Sequence, residues 1–103
     1  MDSVFVRERI TSLRMKKGVS EYQMSYDLGH SRGYINNISS GKSLPSVTEL
    51  FVICEYFDIT LAEFFTEGIE DPKLSRELYE LVSHLDNTDQ LLIKNIAERL
   101  LRE

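Results

Sequence analysis

Apolar residues recur at steps of three and four along most of this chain, and no stretch shows the strict alternation of a half-buried strand. Val6, Ile10 and Leu13 form the inner stripe of a first helix, predicted over Ser3–Lys17 and ended by Gly18. Met24 and Leu28 mark a second helix over Glu21–Leu28, and Ile35 and Ile38 a third over Arg32–Ser39. Val47, Leu50, Phe51, Cys54 and Phe57 share one face of a fourth helix over Val47–Phe57, and Leu61–Phe65 reads as a short fifth. Leu74, Leu78, Leu81 and Leu85 make a narrow seam of the coiled-coil kind along a sixth helix over Pro72–Leu85. In a seventh, over Asp89–Arg102, Leu92, Ile93, Ile96, Ala97, Leu100 and Leu101 wrap well over a third of the circumference, with Leu91 beyond.

The helix starts carry their own chemistry. Ser20 with Gln23, Ser46 with Glu49, Thr60 with Glu63 and Asn87 with Gln90 each have capping-box spacing, which satisfies orphan backbone donors in a first turn. Asp71-Pro72 supplies a capping carboxylate followed by the residue best suited to a first helical position. The expectation is an all-α chain: a five-helix bundle over residues 1–66, a Gly68-containing acidic linker over 67–71 and a helical hairpin over 72–103. A simple hairpin leaves part of the seventh helix's apolar surface uncovered, so a second copy of the chain is expected to cover it, through Leu78, Leu81, Leu92, Ile96 and Leu100. The alternative is that the hairpin packs back on the N-terminal bundle.

Ser20 to Lys42 is the densest signal. Gly29 separates two short amphipathic segments where a sharp reversal needs positive φ, and Ser31 is positioned to restart the chain as an N-cap. A short helix locked across another by a tight turn keeps one face outward, the geometry of a helix-turn-helix whose second helix enters a DNA major groove.

With these residues in place the chain resembles the phage-repressor family of helix-turn-helix proteins, the XRE or Cro/cI-like family. The matching positions are Arg9, Ile10, Leu13, Arg14, Gly18 and Ser20, then Met24, Leu28, Gly29, Ser31, Arg32, Ile35, Ile38, Gly41 and Lys42. Pro45, Ser46, Leu50, Phe57 and Leu61 follow, so the resemblance covers roughly residues 5–66. It implies a lambda-repressor-like bundle and a sequence-specific transcriptional regulator that binds double-stranded DNA as a homodimer. By position it implies base contacts from Arg32, Gly33, Asn36 and Asn37. Arg32 suits a guanine edge, and an asparagine suits adenine. Arg14, Ser31, Tyr34, Ser40 and Lys42 fall where backbone phosphates would be met. The plain alternatives are a solvated Arg32, a merely polar outer face at Asn36-Asn37, a half-buried Tyr34 and an Arg14 paired on the first helix.

Three departures stand out. Glu21 replaces the family's frequent phosphate-binding glutamine, Ser39 a frequent glutamate, and His30 an apolar residue. Glu21 suits a helix N-terminus but repels a phosphate at the same spot. His30 is expected partly buried in the turn as a neutral, hydrogen-bonded imidazole. These departures support a second reading, a helix-turn-helix scaffold acting mainly as a protein-interaction module of antitoxin or anti-repressor type, with weak DNA affinity and a partner on the C-terminal hairpin.

The net charge of −5 is unusual for a DNA binder, but it is unevenly placed. Residues 1–46 hold seven Lys/Arg against four Asp/Glu, whereas residues 47–103 hold five against thirteen. The acid therefore lies away from the DNA-facing segment, and the modest positive head predicts weak, salt-dependent binding from one copy. With 42% hydrophobic and 28% charged residues, the 103-residue chain reads as an ordinary soluble globular protein, with a cytoplasmic location as the default. No membrane span or signal peptide is expected. Cys54 is the only cysteine, and with the distant His30 and His84 it makes no metal-ligand spacing. Phosphate-binding glycine loops and nucleophile–base motifs are absent, so neither enzyme activity nor a cofactor is implied.

Overall fold

The computed structural model describes residues 2–102 and is helical throughout its regular elements. These are α1 (Ser3–Lys17), α2 (Glu21–Asp27), α3 (Tyr34–Ser39), α4 (Val47–Tyr56), α5 (Leu61–Phe64), α6 (Pro72–Ser83) and α7 (Asn87–Arg102). The chain up to Pro72 forms one compact unit, and residues from Lys73 form a second.

The first unit is built on the capping chemistry the sequence carries. Ser46 and Thr60 make reciprocal capping boxes with Glu49 and Glu63. Ser20 accepts from the Gln23 N–H, but Gln23 does not reach back; its amide donates to Asp27 at 2.6 Å instead. Asp2 caps α1 by accepting from the Phe5 N–H. Gly18 ends α1 at φ 76°, and Gly29 reverses the chain after α2 at φ 73°, where an L side chain would be strained.

Ile10, Leu13, Met24, Ile35, Ile38, Leu50, Ile53, Cys54, Phe57, Ile59 and Phe64 form one continuous core. Burial raises the Cys54 thiol to about 11, which leaves it a small apolar filler rather than a nucleophile. The face expected for α4 needs correction at two positions. Val47 and Phe51 are 69% and 51% exposed, and the inward stripe is Leu50, Ile53, Cys54 and Phe57. Val47 and Phe51 lie one turn apart on the same side of α4, and both are exposed.

Two buried polar residues hold the unit together. Arg9, 8% exposed, donates to the carbonyls of Phe64 at 3.0 Å, Thr66 at 2.5 Å and Ile69 at 2.5 Å. Its guanidinium also lies over the Phe5 ring, and Lys16 donates to the Glu70 carbonyl at 2.7 Å. The stretch after α5 is thereby fastened to α1 by charge-assisted hydrogen bonds. Ser25, fully buried, donates to the Glu21 carbonyl at 2.8 Å and accepts from the Ile35 N–H at 3.1 Å. Tyr56 adds a third tie by donating to Asp27 at 2.6 Å, which helps hold that carboxylate below its ordinary range.

The second unit is a hairpin of α6 and α7. Its corner is set by Asp86, not Asn87, whose carboxylate accepts from the Asp89 N–H at 2.8 Å. Gln90 donates across the corner to the Val82 carbonyl at 2.8 Å, and Lys94 pairs with Glu98 on the α7 surface. No residue of α7 is buried. Leu78, Leu81, Leu92, Ile96 and Leu100 are each at least half exposed.

Replacing Ser25 with alanine removes the acceptor for a buried backbone donor. The S25A protein is expected to be less stable by about 1–2 kcal/mol, because an orphaned amide outweighs alanine's better helix propensity. Urea unfolding followed by circular dichroism measures this; an unchanged midpoint would show that the bond contributes nothing.

Candidate nucleic-acid interface

The second and third helices meet through a turn made entirely of backbone bonds. Leu28 is the C-cap of α2, the Gly29 N–H donates to the Tyr26 carbonyl at 2.9 Å, and the His30 N–H to the Ser25 carbonyl at 3.0 Å. The Tyr34 N–H then donates to the Ser31 carbonyl at 3.0 Å, closing a turn with Arg32 and Gly33 at its tip. Gly33 is the N-cap of α3 and provides no side-chain cap. Ser31 therefore contributes its carbonyl rather than the expected hydroxyl cap, and α3 begins at Tyr34, not Arg32. The missing cap is compensated from below, by the Ser25 hydroxyl on the Ile35 N–H.

Ile35 and Ile38 point into the core and leave Asn36, Asn37, Ser39 and Ser40 outward. Arg32 is exposed at the turn, its guanidinium 5.6 Å from the centre of the Tyr22 ring. A Cβ added at Gly33 would meet nothing within 4 Å, so this glycine leaves open space on the outer side. Asn37, Ser40 and Lys42 are exposed, and the Asn37 carbonyl accepts from the Lys42 and Ser43 N–H groups. Arg32, Asn36 and Asn37 are thus exposed, with Gly33 half-buried between Arg32 and the start of α3.

Other sequence candidates are placed differently. Arg14 is half-buried and donates to the Val19 carbonyl at 2.8 Å, bracing the turn between α1 and α2. Tyr34 needs correction as a phosphate contact: its hydroxyl is shut off from solvent and makes no well-formed hydrogen bond. It lies near the Glu49 carboxylate, and burial, with that charge, pushes the phenol's pKa up. His30 is exposed rather than partly buried, and it stacks on the Tyr34 ring at 3.7 Å between centroids, with planes 8° apart. The stacked imidazole covers the Tyr34 ring, so the two residues act as a wall of the turn.

Glu21 is the most consequential residue whose bonding the sequence did not reveal. Its carboxylate accepts from the Ser39 hydroxyl at 2.5 Å and from the Asn36 amide at 3.4 Å. One polar end of Asn36 is therefore engaged within the protein, whereas Asn37 is exposed. Ser25 and Tyr22 were also missed. A serine beside Met24 on an apolar face was the available signal for Ser25, since a buried hydroxyl needs a partner. No spacing rule marks Tyr22.

A helix-turn-helix family profile matches residues 10–64, from the buried Ile10 to the buried Phe64. The chain belongs to the XRE-type helix-turn-helix family. No curated protein and no solved structure matches it. This helix-turn-helix protein is thus a DNA-binding regulator of the XRE type, a family of DNA-binding domains rather than of enzymes. The hairpin from Lys73 lies outside the matched segment. Among the described residues no helix is long and apolar enough to cross a membrane, and no cluster of three or more His, Cys, Asp or Glu residues is arranged to hold a metal ion.

In this helix-turn-helix protein Glu21 carries a negative charge beside Asn36 and Ser39, at the surface expected from the resemblance to meet DNA. Two unit charges 4 Å apart in water repel by about 1 kcal/mol, so Glu21→Gln is expected to tighten binding to double-stranded DNA about fivefold at low salt. Fluorescence anisotropy on a labelled duplex reads this directly; unchanged or weaker binding would place Glu21 away from the phosphates.

Proposed function

We propose that this protein is a sequence-specific transcriptional regulator that reads the major groove as a homodimer. Arg32, Gly33, Asn36 and Asn37 approach base edges, with Asn37 the residue suited to a bidentate adenine contact and Asn36 offering its remaining polar end. Ser31, Ser40 and Lys42 meet the sugar-phosphate backbone. Arg14 supports this surface by holding the turn before α2. The observation that carries the reading is the exposed polar edge from Arg32 to Ser40, held outward by Ile35 and Ile38 in the core.

The homodimer reading rests on the hairpin of residues 72–103, a dimerisation element on this account. A stripe of half-exposed leucine and isoleucine side chains on two consecutive helices exceeds what scattered surface residues present. A second copy related by a two-fold axis covers the same stripe on both partners. Two heads then meet half-sites roughly 34 Å apart, one turn of DNA.

The second reading, a scaffold for protein interaction of antitoxin or anti-repressor type with weak DNA affinity, is favoured by Glu21 and by the acidic C-terminal half. Capture of genomic DNA fragments at rising salt separates the two. The regulator reading expects enrichment of specific fragments that is lost in an Arg32→Ala/Asn37→Ala protein. Absence of enrichment at low salt favours the protein-interaction module.

Dimerisation has its own test. Light scattering of the full chain is expected to give twice the monomer mass, and a Leu92→Arg/Ile96→Arg protein to give the monomer mass with α1–α5 still folded. A monomeric unaltered chain would remove the dimer from this account.

A further inference from the structure

We propose that Tyr22 is a positioning residue for Arg32, and that base preference at the position Arg32 reads depends on the Tyr22 ring. The proposal rests on the DNA-regulator reading above and names how one of its contacts is organised.

Arg32 sits at the tip of the α2–α3 turn, on a long side chain that carries about 2 kcal/mol of rotamer entropy when free. Ordering that chain costs affinity, and a wandering guanidinium contacts phosphates and any base equally. Among the described residues no carboxylate or carbonyl pairs with Arg32; its contact is the Tyr22 ring, 5.6 Å from ring centre to guanidinium carbon. A cation over a ring face is attracted by the ring's quadrupole and keeps its N–H donors available. Those donors form the rigid fork that matches O6 and N7 of guanine.

The platform under Arg32 is itself held. Tyr22 is the second residue of α2, beside Glu21, whose side chain bonds Ser39, and three residues before Ser25, which bonds the start of α3. Tyr22 is 54% exposed, so part of it lies on the surface. Tyr22, Tyr26, His30 and Arg32 line an open recess of about 250 Å³ beside the turn. The His30 ring that helps line it is itself stacked on Tyr34. Arg32 is therefore exposed, but beside aromatic side chains. The core makes no use of the Tyr22 ring, and the hydrogen bonds of the α2–α3 clamp do not involve it.

The test compares binding-site preferences of the full-length protein and three variants, selected from a random duplex library. The unaltered protein is expected to prefer guanine at one position of each half-site, and Arg32→Ala to abolish that preference. Tyr22→Leu is expected to lower it about two- to fivefold while leaving the other positions unchanged. Tyr22→Phe, which keeps the ring, is expected to retain it. In the free protein, NMR should show the Arg32 side-chain protons shifted by the ring current, with the shift lost in Tyr22→Leu and kept in Tyr22→Phe.

Three results overturn the proposal. If Tyr22→Leu keeps the full guanine preference that Arg32→Ala abolishes, the ring does not position the arginine. If Arg32→Ala weakens all sequences equally, Arg32 holds a phosphate rather than a base. If the unaltered protein selects no sequence at all, the regulator reading itself fails and takes this proposal with it; a ring-current shift in the free protein would then show that the contact exists but serves no base readout.

Discussion

One buried hydroxyl sets the geometry on which the exposed edge depends. Ser25 sits at 0% exposure, donating to the Glu21 carbonyl and accepting from the Ile35 N–H. The helix it supports, α3, has six residues and no side-chain cap of its own. A helix so short cannot persist in water by hydrogen bonding along its own axis. It exists because Ile35 and Ile38 are driven into the core and because Ser25 satisfies a donor that burial would otherwise leave orphaned. The direction in which Asn36 and Asn37 point follows from those three anchors.

The same economy governs the edges of the first unit. Arg9 gathers three carbonyls from the end of α5 and the segment after it, so the chain leaves the bundle along a held path. Burying a guanidinium is tolerable here because its donors are met by carbonyl oxygens and its face by Phe5. Across the top, Glu21 performs two opposed tasks. It ties α2 to α3 through Ser39 and Asn36, and in the proposed role its negative charge would oppose a polyanion approaching that surface. On the proposed reading, a head of modest positive charge with an acid at its edge would gain specificity from ordered contacts more than from electrostatic affinity. Two heads acting together would supply what one lacks.

The two units solve the hydrophobic problem differently. Helices α1 to α5 interleave apolar side chains from every element, and eleven of them are buried in a single cluster. In the hairpin, α7 buries none of its residues. Apolar surface of that extent carries a free-energy cost of about 25 cal/mol for each Å² left in water. This contrast separates a unit that buries its own apolar core from one that leaves its apolar stripe exposed.

Helix positions, the glycine turns after α1 and α2, three of the caps and the helix-turn-helix order were legible in the sequence. Each depends on residues three or four apart, or on one residue's φ preference, and such signals are local. Arg32, Gly33, Asn36 and Asn37 were named through the family resemblance, by position rather than by spacing. What tertiary structure alone decided were the features created by contact between elements. These include the start of α3 at Tyr34, the Glu21–Ser39 bond across eighteen residues, the outward Val47 and Phe51, the shut-in Tyr34 hydroxyl and the Tyr22 platform under Arg32. Periodicity tells which face of a helix is apolar, but how much of that face is covered depends on where the neighbouring helices stop. A polar side chain's partner is set by distance in space, which spacing along the chain does not encode.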